Sequence, residues 1–65
     1  MGRNDMIDVE DLEFRCEAGA AIIVESDGEK TSLPKSQIEW DEYASPGEII
    51  TVTMPEWLAM DRGLI

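Results

Sequence analysis

Fifteen carboxylates and no histidine set the limits of what this chain can do chemically. Without an imidazole, general acid/base work would fall to Asp, Glu, Lys30, Lys35, Tyr43 or Cys16. Adjacent acids such as Asp41 and Glu42 occur, but among so many carboxylates some adjacency is unavoidable, and a solvated face explains them better. Cys16 has no histidine to activate it and is expected as a small buried hydrophobe. A lone cysteine also excludes an intramolecular disulfide and a cysteine-based zinc site. Glu25-Ser26-Asp27-Gly28-Glu29 superficially matches a calcium loop. An EF-hand, however, needs ligands at alternating positions before its glycine, and here the glycine follows the first Asp directly. No glycine-rich phosphate loop is present. The expectation is a non-enzymatic protein without metal or cofactor.

What remains is the distribution of the acids. Asp8, Glu10, Asp11, Glu13 and Glu17 follow one another in the first segment. Glu25, Asp27 and Glu29 gather at an Asp-Gly pair, and Glu39, Asp41, Glu42 and Glu48 surround a Pro-Gly pair. On a sheet, residues i and i+2 lie roughly 6.7 Å apart and neighbouring strands about 4.8 Å apart. Carboxylates on that grid can imitate the charge array of a nucleic-acid backbone, and Lys or Arg side chains that hold phosphates could bind them. The candidate partner-binding residues are Glu10, Glu13, Glu17, Glu25, Asp27, Glu29, Glu39, Asp41 and Glu42.

The formal net charge of −10 sharpens this reading. It would repel nucleic acid and anionic membrane surfaces, so neither is expected as a direct partner. A basic, DNA-binding protein is the expected partner instead, met faster at low salt. Solubility is the plainer explanation of an acidic surface. Yet a small domain needs a net charge of only roughly 2–8 in magnitude for solubility, and the excess here works against folding. Aromatic residues offer a second reading: a small phage structural or adaptor domain that binds a protein through an apolar patch around Trp40 and Tyr43. For Trp40 itself, core packing is the preferred role.

The elements that must carry these residues are short. Leu12, Phe14 and Cys16 alternate with Glu13, Arg15 and Glu17, the period of a half-buried strand. Ile7 and Val9 fall on the opposite parity, so a bend or bulge near Glu10-Asp11 is required to bury both groups. Ala20 to Glu25 is β-branched at its centre and reads as the central strand. Asp27-Gly28 suits the positive φ angles of a tight hairpin, and a strand through Lys30 to Leu33 ends at Pro34. Alternation over Gln37 to Tyr43 predicts a further strand, and Ala44-Ser45-Pro46-Gly47 a turn. Glu48 to Met54 places Ile50, Val52 and Met54 on one face. Pro55 to Gly63 predicts a short helix, with Pro55 at its first position and Gly63 as its stop. Trp57, Leu58 and Leu64 are expected to dock it on the sheet.

The fold class is therefore α+β: a small antiparallel sheet of about five short strands with one short C-terminal helix. An SH3-like small barrel is the alternative. With 65 residues the chain makes a single acidic domain, 1–65, with residues 1–6 expected as a flexible N-terminus. The longest apolar run, Ala18 to Val24, is too short to span a bilayer. Met1 to Asp5 lacks the apolar stretch of a signal peptide, so the bacterial host cytoplasm is the expected location. A monomer is expected over a dimer.

This combination of small size, acidity and β-rich pattern resembles the phage-encoded anti-CRISPR proteins that act as DNA mimics. The resemblance implies an inhibitor of a type I effector complex, with type I-C the subtype suggested. Leu33-Pro34-Lys35-Ser36-Gln37-Ile38-Glu39, then Pro55-Glu56-Trp57-Leu58-Ala59 and Gly63-Leu64-Ile65, is similar to a pattern in small phage and prophage proteins. It covers about the C-terminal half and points to phage origin rather than to an activity. By this resemblance the protein would occupy the basic groove in which a CRISPR effector reads the protospacer-adjacent (PAM) duplex, and so block target DNA. Anti-CRISPR proteins share no diagnostic motif, so no site residue is carried over from them.

Overall fold

Each turn signal in the sequence has a backbone reason, and together they fold the chain into one antiparallel sheet. The computed structural model describes residues 5–65. Four strands, β1 (Met6–Ala18), β2 (Ala21–Ser26), β3 (Glu29–Pro34) and β4 (Ile49–Pro55), precede a helix, α1 (Glu56–Asp61). The strand order is β3-β2-β1-β4, with every pairing antiparallel, an open sheet plus one short C-terminal helix. This is the expected α+β class. Of the expected flexible stretch 1–6, residues 1–4 lie outside the described residues. Asp5 accepts the Glu56 backbone N–H at 2.8 Å, and Met6 already pairs with Pro55.

The two hairpins follow their glycines. Gly19 opens the β1–β2 turn at φ 62°, with Ala18 opposite Ala21. Asp27 (φ 52°) and Gly28 (φ 81°) both take the left-handed region between Ser26 and Glu29, as a type I′ turn requires.

β1 departs from regular pairing twice. Val9 faces Val52 and Leu12 faces Ile50, so Glu10 and Asp11 together oppose Thr51 alone. That bulge, expected from the parity break, puts Asp11 at φ 64° and turns both Val9 and Leu12 into the core. A second irregularity lies between Phe14, opposite Val24, and Cys16, opposite Ile23, leaving Arg15 as the extra residue. It corrects the expected position of Cys16. The extra residue reverses the alternation, so Cys16 emerges on the solvent side and is exposed.

The expected strand from Gln37 to Tyr43 shrinks to one bridge. Lys35–Gln37 forms a single turn of 3-10 helix, and Glu39 then exchanges backbone hydrogen bonds with Thr53 at 2.8 and 2.9 Å. Beyond it the Asp41 carboxylate accepts the Tyr43 N–H at 2.9 Å, and the Asp41 carbonyl accepts from Ala44 at 3.0 Å. This local turn takes the backbone groups that a longer ladder would need. Ser45-Pro46-Gly47-Glu48 then reverses the chain, with Gly47 at φ 93° and Glu48 N–H donating to the Ser45 carbonyl at 3.0 Å.

The core collects Val9, Leu12 and Phe14 of β1, Ile22 and Val24 of β2, Leu33 of β3, and Ile50, Val52 and Met54 of β4. Ile38, Leu58 and Ala59 cover them. α1 is closed by a C-terminal motif in which Gly63, at φ 72°, donates to Met60 and Leu64 donates to Ala59. Pro55 ends β4 and caps the helix rather than opening it. Leu58 and Ala59 face the sheet, and Leu64 packs against the core. Trp57 does not: it is 37% exposed, because one residue along a helix rotates the side chain about 100° away from the buried pair.

The Asp11 bulge yields a stability test. Asp11→Val and Asp11→Gly remove the same charge, but only valine resists a positive φ. In urea unfolding Asp11→Val should lose about 1–2 kcal/mol, whereas Asp11→Gly should stay near wild type. Equal losses would mean that the bulge is not held in this conformation.

Candidate functional site

Among the described residues no charged or polar side chain lies in the core, so the carboxylates all stand at the surface. Strand parity then decides which surface each one serves. Residues directly opposite in a ladder point to the same side. Asp8, opposite the half-buried Thr53, and Glu13, opposite both Glu25 and Ile49, belong to the outer, solvent side. Glu10 is exposed beside them at the bulge. Thr53 Oγ1 donates to Asp8 at 2.7 Å, fixing one carboxylate there.

Glu13 and Glu25 form a like-charge cross-strand pair, an arrangement that is destabilising when left bare. Arg15 offsets it. Its guanidinium lies 2.7 Å from Glu13 and 3.9 Å from Glu25, on the side where alternation from Glu13 already places it. Part of the expected display is therefore neutralised from within. Sequence spacing gave no sign of this role, because Arg15 fitted the alternation as one more polar residue.

The bulge at Arg15 separates Glu17 from Glu13. Glu17 faces Ile22, so it lies on the inner side of the sheet, at its rim, where the Lys35 ammonium meets it at 2.6 Å. Glu17, Lys35, Ile38, Glu39, Trp40 and Glu42 line an open pocket of about 420 Å³. Trp40 is held in that wall by stacking on Phe14, with ring centroids 5.5 Å apart and planes 25° apart. Tyr43 stands free of it, 94% exposed. Asp27 and Glu29 project at the β2–β3 hairpin tip, and Asp41 is held by its own turn.

The candidate residues thus form three groups: Glu10, Glu13 and Glu25 on the outer face, where the bridge to Thr53 also puts Glu39; Asp27 and Glu29 at the hairpin tip; and Glu17 and Glu42 at the pocket, with Asp41 next to the last group. Four carboxylates, Glu13, Glu17, Glu25 and Asp61, are ion-paired, the last with Arg62; the other acids have no such partner among the described residues. Also among the described residues, no three acids or Cys16 converge in a geometry that could hold a metal ion. Among the described residues no helix is long and apolar enough to cross a membrane. No family model, curated protein or solved structure matches this chain.

Arg15→Gln exposes the Glu13–Glu25 repulsion. It should cost about 0.5–1 kcal/mol at low salt, and the loss should shrink as salt is added. Adding Glu13→Gln to Arg15→Gln should recover most of it. A loss that ignores both salt and the second substitution would mean that Arg15 acts by packing alone.

Proposed function

We propose that the protein is a non-enzymatic inhibitor that presents carboxylates to the basic DNA-recognition groove of a protein and so competes with DNA for it. The observation that carries this reading is the disposition of charge: fifteen acids, all outside the core, with only four of them ion-paired among the described residues. Keeping so many like charges on a small sheet weakens the fold, and solubility does not require it.

Length and charge support competition with a duplex. The fold is 34 Å long, and a duplex of that length carries about 20 phosphates. The net charge of −10 is thus about half that density. Lys and Arg side chains arranged for phosphates form equally good charge-assisted hydrogen bonds with carboxylates. Association would release counterions from both surfaces and weaken steeply with salt. In keeping with the resemblance to anti-CRISPR DNA mimics, the partner proposed is a type I CRISPR effector complex, with PAM binding blocked in the host cytoplasm. Tyr43 is what remains of the adaptor reading, since Trp40 is committed to stacking on Phe14.

A variant that neutralises unpaired, exposed acids tests the proposal: Glu10→Gln, Asp27→Asn, Glu29→Gln and Glu42→Gln together. Asn at position 27 tolerates the left-handed turn, so the circular-dichroism spectrum should not change. Wild type should displace target duplex from the effector in a gel-shift assay at low salt and lose that ability as salt rises. The variant should associate slower by on the order of tenfold. Undiminished displacement by the folded variant rejects charge mimicry. Binding that survives high salt but fails on Tyr43→Ala transfers the function to the apolar reading.

A further inference from the structure

The sheet is covered on one side only. Ile38, Leu58 and Ala59 close over its inner side, and among the described residues no layer lies on the outer one. Across β1, β2 and β3 the outer side falls into three ladder rows: Ala18-Ala21-Pro34, Cys16-Ile23-Ser32 and Glu13-Glu25-Lys30. The first two rows hold no charge, and their residues are exposed or half-buried. The third row is balanced, since Arg15 stands beside Glu13 and Glu25, and Lys30 lies opposite Glu25. The remaining acids of the outer face, Asp8, Glu10 and Glu39, lie past the end of the β2–β3 hairpin. A chain of net charge −10 thus carries one face on which charge cancels.

We propose that a second copy of the chain docks on this face, outer side to outer side. A large net charge keeps like molecules apart, so two copies can meet only where local charge cancels. The register is also self-complementary. A twofold axis between the two sheets and along β2 keeps the rows level and exchanges β1 with β3. Ile23 then meets its own copy, Cys16 meets Ser32, and Ala18 meets Pro34. Each Lys30 stands over Glu13 of the other copy, a charge pairing that the symmetry supplies twice. Only Glu25 meets its like, with Arg15 3.9 Å from it in each chain. Because the β2–β3 hairpin stops short of Asp8, Glu10 and Glu39, those acids reach beyond the contact in both copies and stay open to a basic partner. Packed sheets lie about 10 Å apart with strands about 30° askew. The overlapping rows cover on the order of 240 Å² of flat area, against roughly 800 Å² per partner in a stable interface. The dimer is therefore weak and reversible, and forms at high protein concentration.

The test is sedimentation velocity of the full chain over a range of concentrations, at low and at high salt. The average mass should rise towards that of a dimer with concentration. It should rise further at high salt, because screening removes the repulsion between the copies. Ile23→Glu should hold the chain monomeric. Coupling a bulky maleimide to the exposed Cys16 thiol should do the same in the native sequence, where no substitution can disturb the fold. Glu25→Gln should strengthen the dimer several-fold, and more than Glu56→Gln, which makes the same change in charge on α1. A chain that stays monomeric at high salt, a dimer that survives both blocks, or association that weakens with salt overturns the proposal. Competition with DNA weakens with salt where dimerisation strengthens, and the gel-shift assay reads it on its own, so the two proposals fail separately.

Discussion

The structure depends on one strand being bonded along both flanks while it changes direction twice. β1 pairs with β4 from Met6 to Glu13 and with β2 from Glu13 to Ala18, so the two ladders overlap only near its middle. A regular strand of thirteen residues would bury one parity throughout. That would leave either Ile7 and Val9 or Leu12 and Phe14 in water. The bulge at Glu10-Asp11 resolves the conflict, since one extra residue reverses the parity and adds twist. Phe14 then sits where three segments meet. Its N–H donates to Glu48 at 2.8 Å, its carbonyl accepts from Gly47 at 2.7 Å, and its ring supports Trp40. The pocket wall is thus a consequence of how β1 bends.

The charge distribution follows from the same strand. A core of twelve apolar residues must hold against a net charge of −10, and in a chain this small the margin is narrow. The basic residues tie several of these acids down at separate points of the fold. Arg15 spans the directly opposed Glu13 and Glu25, and Lys35 ties Glu17 to the segment after β3. Arg62 secures the end of the helix twice, pairing with Asp61 and donating from Nε to the Ser32 carbonyl at 2.9 Å. Each pair is exposed and worth little alone. For Arg15 the value lies in the like-charge contact between Glu13 and Glu25 that it offsets.

How much of this was legible depends on whether a feature broke a local pattern. The Glu10-Asp11 bulge was legible because apolar residues changed parity across it. The Asp27-Gly28 turn and the Gly63 stop were legible because only particular residues accept those backbone angles. The Arg15 bulge was not: Leu12, Phe14 and Cys16 continue the alternation without a flaw, and cysteine suits either side of a sheet. Missing it misplaced Glu17 as well, so the outward direction of the acids was legible but their grouping was not. The Gln37–Tyr43 alternation was real, and Ile38 and Trp40 do turn inward, yet the Asp41 side chain outcompetes the ladder. The Lys35–Glu17 contact joins residues eighteen apart and carries no signal in local sequence.

The division of the carboxylates constrains the partner more than their number does. Acids confined to one flat face would suit a flat basic surface. Here the second bulge sends Glu17 to the inner rim while Glu10, Glu13 and Glu25 stay on the outer face, and the hairpin tip carries Asp27 and Glu29 at a corner. Under the proposed reading, a groove that encloses the sheet from more than one side meets more of these groups than a plane can. A duplex likewise presents phosphates around its axis, and a DNA-binding groove is shaped to reach several sides of it. The irregularity at Arg15 is therefore more than a packing detail: it takes a carboxylate from the outer array and puts it at a separate pocket on the rim.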